Sequence, residues 1–181
     1  MTCIVGILDK EANNVVIGGD SAATAGTSIA IRKDKKVFRK GDFVIGCTSS
    51  YRMIQLLMFS LQLPDVSKDI FEYMCTDFVD AVRKCFNDGG YMQKRTLGDE
   101  QGGTFLVAYK DRLFKICDDF QVCENLNGID AIGCGDDFAL GALMILDKQD
   151  ISSEQKALEA LEAAAFFSSA VSGPFVIIRN D

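Results

Sequence analysis

The sequence predicts an α+β fold: a four-layer sandwich with two antiparallel sheets between outer layers of helix. Three observations point there. Apolar β-type runs follow one another through tight turns, which pairs them antiparallel. Helix-period segments fall in two separate blocks, which suggests helices on opposite faces. No linker, repeat or low-complexity tract divides the 181 residues, a length that suits a single domain over 1–181 with a real core. The order of elements is consistent with this sandwich and does not by itself require it.

Two β-type runs come first, 2–8 and 15–18, with Asn13-Asn14 as the turn. Asp20 follows Gly18-Gly19 and so stands where the second run ends. A small-residue stretch, 21–26, leads into an alternating segment at 28–31, and runs 36–39 and 43–48 form the next pair around Lys40-Gly41-Asp42. The helix read at 50–62 is apolar almost all round, which suits burial between layers or contact between subunits; Leu63-Pro64 ends it. The helix read at 68–86 has one apolar face (Ile70, Phe71, Met74, Phe78, Val79, Val82, Phe86), Ser67 as its N-cap and Gly89-Gly90 beyond its end. Residues 91–102 are polar and read as a loop. Strands follow at 103–109, 112–117, 120–124 and 129–132, the last breaking at Gly133-Cys134-Gly135. A helix at 137–147 comes next. Ser152 and Gln155 then resemble a capping box that opens an alanine-rich helix to about Phe167, and a strand at 175–178 closes the order.

Hydrophobic residues make up 48% and charged residues 25%, as in soluble globular chains. A net charge of −7, with basic clusters no longer than Arg32-Lys33 and Lys35-Lys36 around Asp34, argues against nucleic-acid or anionic-membrane partners. No apolar run approaches a membrane span, and 2–8 lacks the basic flank and cleavage site of a secretory signal. Seven cysteines without a Cys-x-x-Cys pair, and no histidine, argue against a zinc site. They read as free thiols of a reducing compartment, so a cytoplasmic location is expected.

Any hydrolytic chemistry must therefore find a base other than histidine. The chain opens Met1-Thr2-Cys3-Ile4-Val5-Gly6, and the short side chain after Met1 suits removal of the initiator methionine. Thr2 would then carry both a hydroxyl nucleophile and an α-amine of near-neutral pKa. Such a residue needs a cation nearby to favour the neutral amine and the developing alkoxide, and a carboxylate to balance that cation. Thr2 on the first strand, Asp20 at the end of the second and Lys36 at the start of the third are residues that adjacent strand ends could bring together. Singly, each has a plainer reading: many chains begin Met-Thr, an aspartate after Gly-Gly serves turns, and a lone lysine is solvated. The joint spacing carries the argument.

These residues resemble a known family. Thr2-Cys3-Ile4-Val5-Gly6 looks like the mature start of proteasome β-subunits and their bacterial relative HslV; short HslV-like proteins of this kind also occur in bacteriophages. Val16-Ile17-Gly18-Gly19-Asp20 resembles the family's second-strand segment, Lys35-Lys36-Val37 its Lys-Lys-apolar motif, and Ala131-Ile132-Gly133-Cys134-Gly135 its Gly-Ser-Gly segment. Thr24 and Gly26 fall at further family positions. The resemblance runs from Thr2 to about Ile178.

It implies an N-terminal-nucleophile (Ntn) hydrolase: a threonine-type endopeptidase subunit of a self-compartmentalising protease, built as hexameric or heptameric rings of one chain. Unfolded polypeptide would be the substrate and an AAA+ unfoldase the partner. Thr2 would be nucleophile and base, Lys36 would tune the amine, and Asp20 would partner Lys36. A backbone N–H near Ser49 would receive the oxyanion, Thr24 would lend backbone hydrogen bonds to an extended substrate, and Cys134 would stand near the nucleophile. Pocket-lining residues would lie around Ala22, Asp34 and Cys47. No metal or cofactor is required, although backbone carbonyls near Ser169 and Ser172 could hold Na+. Two other readings share the sequence features: a catalytically silent shell subunit, and an Ntn amidohydrolase acting on a small molecule.

The chain departs from the family pattern in places. Ser49-Ser50 replaces a glycine-containing turn, and Cys134 replaces a serine, with a weaker donor and acceptor. Ser169 stands where the proteasome has a late aspartate, an absence shared with HslV. Without a propeptide, activation would rest on loss of Met1 alone. Gly133-x-Gly135 is rejected as a nucleotide loop, because Asp136-Asp137 would repel phosphate. Cys134 has no histidine to activate it and reads as a partly buried structural thiol; Cys3 alternates to the opposite strand face and reads as core.

Overall fold

The computed structural model of the chain describes residues 2–94 and 100–181. In the first sheet β1 (Cys3–Asp9) lies between β2 (Asn14–Gly19) and β12 (Ile129–Gly133), with β13 (Val176–Arg179) outside β2. The second sheet runs β5 (Val37–Lys40), β6 (Phe43–Cys47), β9 (Phe105–Tyr109), β10 (Arg112–Ile116) and β11 (Val122–Cys123). All these pairings are antiparallel. Helices α1 (Tyr51–Gln55), α2 (Ile70–Tyr73) and α3 (Val79–Asp88) pack on the second sheet. Helices α4 (Asp136–Leu146) and α5 (Ser153–Phe167) pack on the first. The expected four-layer sandwich is the observed one.

Each sheet is covered on both faces, so its central strands are apolar almost throughout, and alternation only decides which layer a side chain enters. Along β1, Cys3, Val5 and Ile7 pack with α4 and α5, whereas Ile4 joins the layer between the sheets. Along β9, Leu106 and Ala108 enter that central layer, while Phe105, Val107 and Tyr109 meet the first helix block. The central layer is tight. A Cβ at Gly46 would lie 2.6 Å from Ile4 Cγ2 and 2.7 Å from Ile17 Cγ2, so a side chain there must displace both.

Several elements differ from expectation. The second helical segment begins at Ile70, capped by Asp69, whose carboxylate accepts the Phe71 and Glu72 N–H groups at 2.9 and 3.2 Å; Ser67 is not the cap. A carboxylate suits a helix N-terminus better than a hydroxyl because it also meets the helix dipole. Both mid-chain helices continue through a π-helical turn, Leu56–Ser60 and Met74–Phe78. In the first, the Leu61 N–H reaches back to the Leu56 carbonyl at 2.9 Å. The wider turn shifts the register of the apolar stripe, and Phe59 ends 74% exposed in a segment read as apolar all round.

Ser152 caps α5 through the Gln155 N–H at 3.2 Å, but the Gln155 side chain turns to Glu159 at 3.0 Å, so the capping box is one-sided. The small-residue stretch becomes a strand: β3 (Ala22–Ala25) pairs with β4 (Ser28–Ile31) as a hairpin. Within the segment read as a loop, β7 (Gln93–Lys94) pairs with β8 (Glu100–Gln101). The rest of that reading, at 95–99, lies outside the described residues, as does Met1. All seven cysteines are free thiols, and among the described residues no helix is long and apolar enough to cross a membrane.

The central layer gives a direct test. Ile4 is fully buried there, so Ile4→Ala is expected to lower unfolding free energy by about 2–5 kcal/mol in a denaturant titration. Ile31→Ala, at a half-exposed position on the hairpin, should stay within about 0.5 kcal/mol of the parent.

Candidate active site

The β1–β2 pairing sets Ile4 opposite Gly19, which brings Asp20 beside the start of β1. There the Asp20 N–H donates to the Cys3 carbonyl at 3.2 Å, and Asp20 Oδ1 accepts the Cys3 N–H at 3.0 Å. Asp20 Oδ2 accepts the Ala22 N–H at 3.0 Å. Lys36, immediately before β5, comes from the other sheet. Its ammonium donates to Asp20 Oδ1 at 2.8 Å and to the Ala22 carbonyl at 2.6 Å. Thr2, Asp20 and Lys36 are 5%, 1% and 2% exposed, so both charges of the pair sit away from water. That burial is sustained because each carboxylate oxygen and the ammonium have partners. Burial pulls the Lys36 pKa below the ordinary lysine value, and the Asp20 charge opposes the shift.

Thr2 is held from its other side by the turn after β12. The β1–β12 register places Cys3 opposite Gly133. Gly133 has φ +103°, and a Cβ there would lie 2.2 Å from the Thr2 carbonyl oxygen, so the position requires glycine. The Thr2 N–H donates to Cys134 Sγ at 3.3 Å; the Thr2 carbonyl accepts from Cys134 Sγ at 3.4 Å and from the Gly135 N–H at 3.4 Å. The contact that the serine-to-cysteine change put in question is therefore present. Cys134 itself is exposed, not the partly buried thiol expected, while Cys3 is fully buried in the core as expected.

A cavity of about 150 Å³ opens beside Thr2, with Thr24, Lys36 and the 48–51 segment in its wall. Ser49 sits at φ +64°, with the Ser50 N–H bonded to the Thr48 carbonyl at 2.8 Å, a tight γ-turn. Its left-handed backbone explains why glycine would be at ease here. The serine is secured instead through its side chain, whose Oγ accepts the Thr104 N–H at 3.2 Å. Since Ser50 N–H is already committed, the donor left for an oxyanion in this turn is Ser49 N–H.

Cys47 requires a correction. It is fully buried among the residues under the first helix block, its thiol pKa pushed up by burial, and it does not line the cavity. The strand alternation that turns it to the helix side places Thr48 at the site instead. Ala22 contributes its backbone to Asp20 and Lys36, with Ala23 and Thr24 in the wall; Asp34 pairs with Arg32. The Ser172 carbonyl, one of the two considered for Na+, accepts the Ser21 N–H at 3.0 Å, which leaves it a single lone pair. Sequence reasoning missed Ala23, Thr48, Tyr51 and Ile54 as lining residues; Tyr51 stands at the first position of α1 and reads as part of a greasy helix. Larger clefts of about 600 and 430 Å³ exist near Pro64, lined by none of these residues.

The buried pair predicts an asymmetric mutational response. Asp20→Asn leaves Lys36 buried without its counter-charge and should cost about 3–5 kcal/mol in denaturant unfolding. The double variant Asp20→Asn/Lys36→Met should recover a substantial part of that loss.

No family model and no curated protein sequence matches the chain. Its backbone, however, matches solved structures over nearly its whole length. BPH from Thiobacillus denitrificans has a TM-score of 0.81 at 21% identity, covering 97% of this chain and 96% of that one. The same protein in complex with epoxomicin matches at 0.81 and 20%, over 97% of each chain. HslV from Trypanosoma brucei matches at 0.70 and 22%, over 98% of each chain. Anbu from Hyphomicrobium, a Gly-1 mutant, matches at 0.70 and 16%, over 99% of this chain and 83% of that one. At these identities the likeness is one of fold, and the fold of this chain is the αββα sandwich of the proteasome β-subunit and HslV type.

Proposed function

We propose that the chain is a threonine-type endopeptidase subunit whose nucleophile is Thr2 after removal of Met1. The observation that carries this reading is the convergence of Thr2 with the buried Lys36–Asp20 pair at a cavity lined by both Thr2 and Lys36. Cleavage of the Met1–Thr2 bond frees an α-amine. That amine accepts the proton of the Thr2 hydroxyl as its oxygen adds to the substrate carbonyl. Lys36, fixed by Asp20, favours the unprotonated amine and steadies the developing alkoxide, and the Ser49 N–H receives the oxyanion. Collapse of the tetrahedral adduct passes the proton to the leaving amine and leaves an ester on Thr2. Water, deprotonated by the same amine, then releases the acyl fragment and restores the site.

The reading includes self-assembly into rings of six or seven copies that enclose the site, with unfolded polypeptide as substrate and an ATP-driven unfoldase as feeder. Support for assembly comes from the outer helix layer over the first sheet. Phe138, Met144, Ile145, Phe166 and Phe167 are 43–83% exposed there, and Phe167 stacks on Phe138 at 5.4 Å. Apolar area of that kind suits burial against another chain.

Two outcomes are expected. Protein from its natural host should have a mass lower by one methionine residue and should be acylated on Thr2 by epoxomicin, chosen because BPH of the same fold is solved with it. Thr2→Ala should lose both acylation and at least about 10³-fold in peptide hydrolysis. Retained Met1, or a trimmed chain inert to the probe, would move the assignment to a silent shell subunit. A sized particle no larger than a small oligomer would favour a small-molecule amidohydrolase. The rate should also rise with pH as the amine loses its proton. With Lys36 nearby, the midpoint of that limb in kcat/KM should fall at or below the ordinary α-amine value of about 7.7–8.0.

A further inference from the structure

The hairpin between β10 and β11 turns on a left-handed phenylalanine. The Cys117 carbonyl accepts the Phe120 N–H at 3.0 Å, and the Cys117 N–H donates to the Gln121 carbonyl at 2.9 Å, so three residues close the loop. Phe120 completes it at φ +69°, a conformation that a bulky side chain rarely adopts. Burial keeps it there: its ring enters the core under the first helix block, 6.4 Å from Phe86. The Asp118 carbonyl also accepts the Gly102 N–H at 2.9 Å, which ties the loop to the segment before β9. The turn has little freedom to open.

This turn sets two thiols side by side. Cys123 stands opposite Lys115 across the ladder, and Cys117 lies two residues beyond Lys115, so both cysteines face the same side of the sheet. Their sulfurs are 3.9 Å apart, and both residues are half-buried, within reach of a small solute. Lys115, on that same side, donates to Asp130 of β12 at 3.0 Å. Burial, and then the Cys123 thiol, push the Cys117 thiol above its ordinary pKa, and the Lys115 charge opposes them in favour of the thiolate. The remaining cysteines are placed otherwise: Cys3, Cys47 and Cys85 are buried in the core, and Cys75 and Cys134 are exposed on other parts of the chain.

We propose that Cys117 and Cys123 form a modification site, a dithiol that hydrogen peroxide closes to a disulfide within the hairpin. One thiolate attacks a peroxide oxygen; the O–O bond breaks, leaving a sulfenic acid and a first water. The second sulfur attacks the sulfenic sulfur, the S–S bond forms, and the displaced hydroxide leaves with the thiol proton as a second water. The two sulfurs together give up two electrons, and the peroxide takes them. To bond, the sulfurs approach each other by about 2 Å, which rotation about the two Cα–Cβ bonds supplies with the turn left in place. The product carries no ionisable group, so the burial that opposes the thiolate does not oppose the disulfide. No residue of the candidate active site takes part, and this chemistry stands whether or not Thr2 is a nucleophile.

Peptide mapping under non-reducing conditions tests this on the full chain. The reduced, folded protein is treated with a small excess of hydrogen peroxide and its intact mass is recorded. Remaining thiols are capped, and a protease that cuts before aspartate separates Cys117 from Cys123. The mass should fall by about 2 Da, for the hydrogens lost, and dithiothreitol should restore it. Peptides joined through Cys117 and Cys123 should outnumber every other linkage about tenfold or more, because the fold holds only these sulfurs in contact. Cys117→Ser and Cys123→Ser should each lose the linked pair and the mass change; the linkage map of the parent decides even where a variant does not fold. A linkage that forms only in denaturant overturns the proposal, as does a preferred linkage through another cysteine. Sulfinic acid at Cys117 or Cys123 in place of a linkage overturns it too.

Discussion

The ion pair between Lys36 and Asp20 is the contact on which the rest of the site depends. Asp20 ends a strand of one sheet and Lys36 precedes a strand of the other, so the pair ties the two sheets at the point where Thr2 enters the fold. Withdrawing two charges from water costs several kcal/mol each, and their mutual attraction offsets this only with good geometry and further hydrogen bonds. Those are present: the carboxylate also receives the Cys3 and Ala22 N–H groups, and the ammonium also meets the Ala22 carbonyl. Apolar residues in the same volume could be as stable. What the pair supplies is position, because the carboxylate that holds Lys36 also fixes the backbone one residue after Thr2.

Much of this was legible in the sequence because it depends on near-continuous apolar strands and short turns. A sheet buried on both faces shows itself as runs such as Phe105-Leu106-Val107-Ala108-Tyr109, and the convergence of Thr2, Asp20 and Lys36 follows from strands whose ends lie side by side. Other features depend on one residue of register. The π-helical turns leave composition unchanged and move only which side chains are buried, so Phe59 could not be placed outside from its neighbours. Cys47 and Thr48 exchange roles for the same reason: strand alternation turns the first to the helices and leaves the second at the cavity. Asp69 and Ser67 both offer good caps, and only the start of the helix chooses between them. Tyr51 was hidden differently. Its ring lies under the Arg32 guanidinium, 3.9 Å away and from the β3–β4 side of the site, a long-range contact that no local pattern announces.

Two left-handed backbone positions flank Thr2, and the chain treats them differently. At Gly133 the obstacle is contact, since any Cβ would strike the Thr2 carbonyl. At Ser49 the obstacle is conformational, of the order of 1–3 kcal/mol for a non-glycine residue. A serine there is offset in part by its hydroxyl, which anchors the turn to the start of β9 through the Thr104 N–H. The outcome is a turn with less backbone freedom than a glycine would allow, and hence a better-fixed N–H. The departure from the family pattern is then compatible with oxyanion binding and adds a tether to it.

On the peptidase reading, the cut before Thr2 needs to change chemistry without rearranging the fold. The residue is held by groups that owe nothing to an amine lone pair: its carbonyl by Gly135 and Cys134, and the following N–H by Asp20. As an amide, the Thr2 nitrogen donates to Cys134 Sγ and has its own lone pair delocalised into the preceding carbonyl. As an amine it can keep that donor contact, which orients it, while gaining a lone pair able to accept the hydroxyl proton. No strand has to move and no buried charge has to be uncovered. The Lys36–Asp20 pair can therefore be complete before the nucleophile exists, and the barrier to activity becomes the hydrolysis of the single peptide bond before Thr2 rather than a folding step.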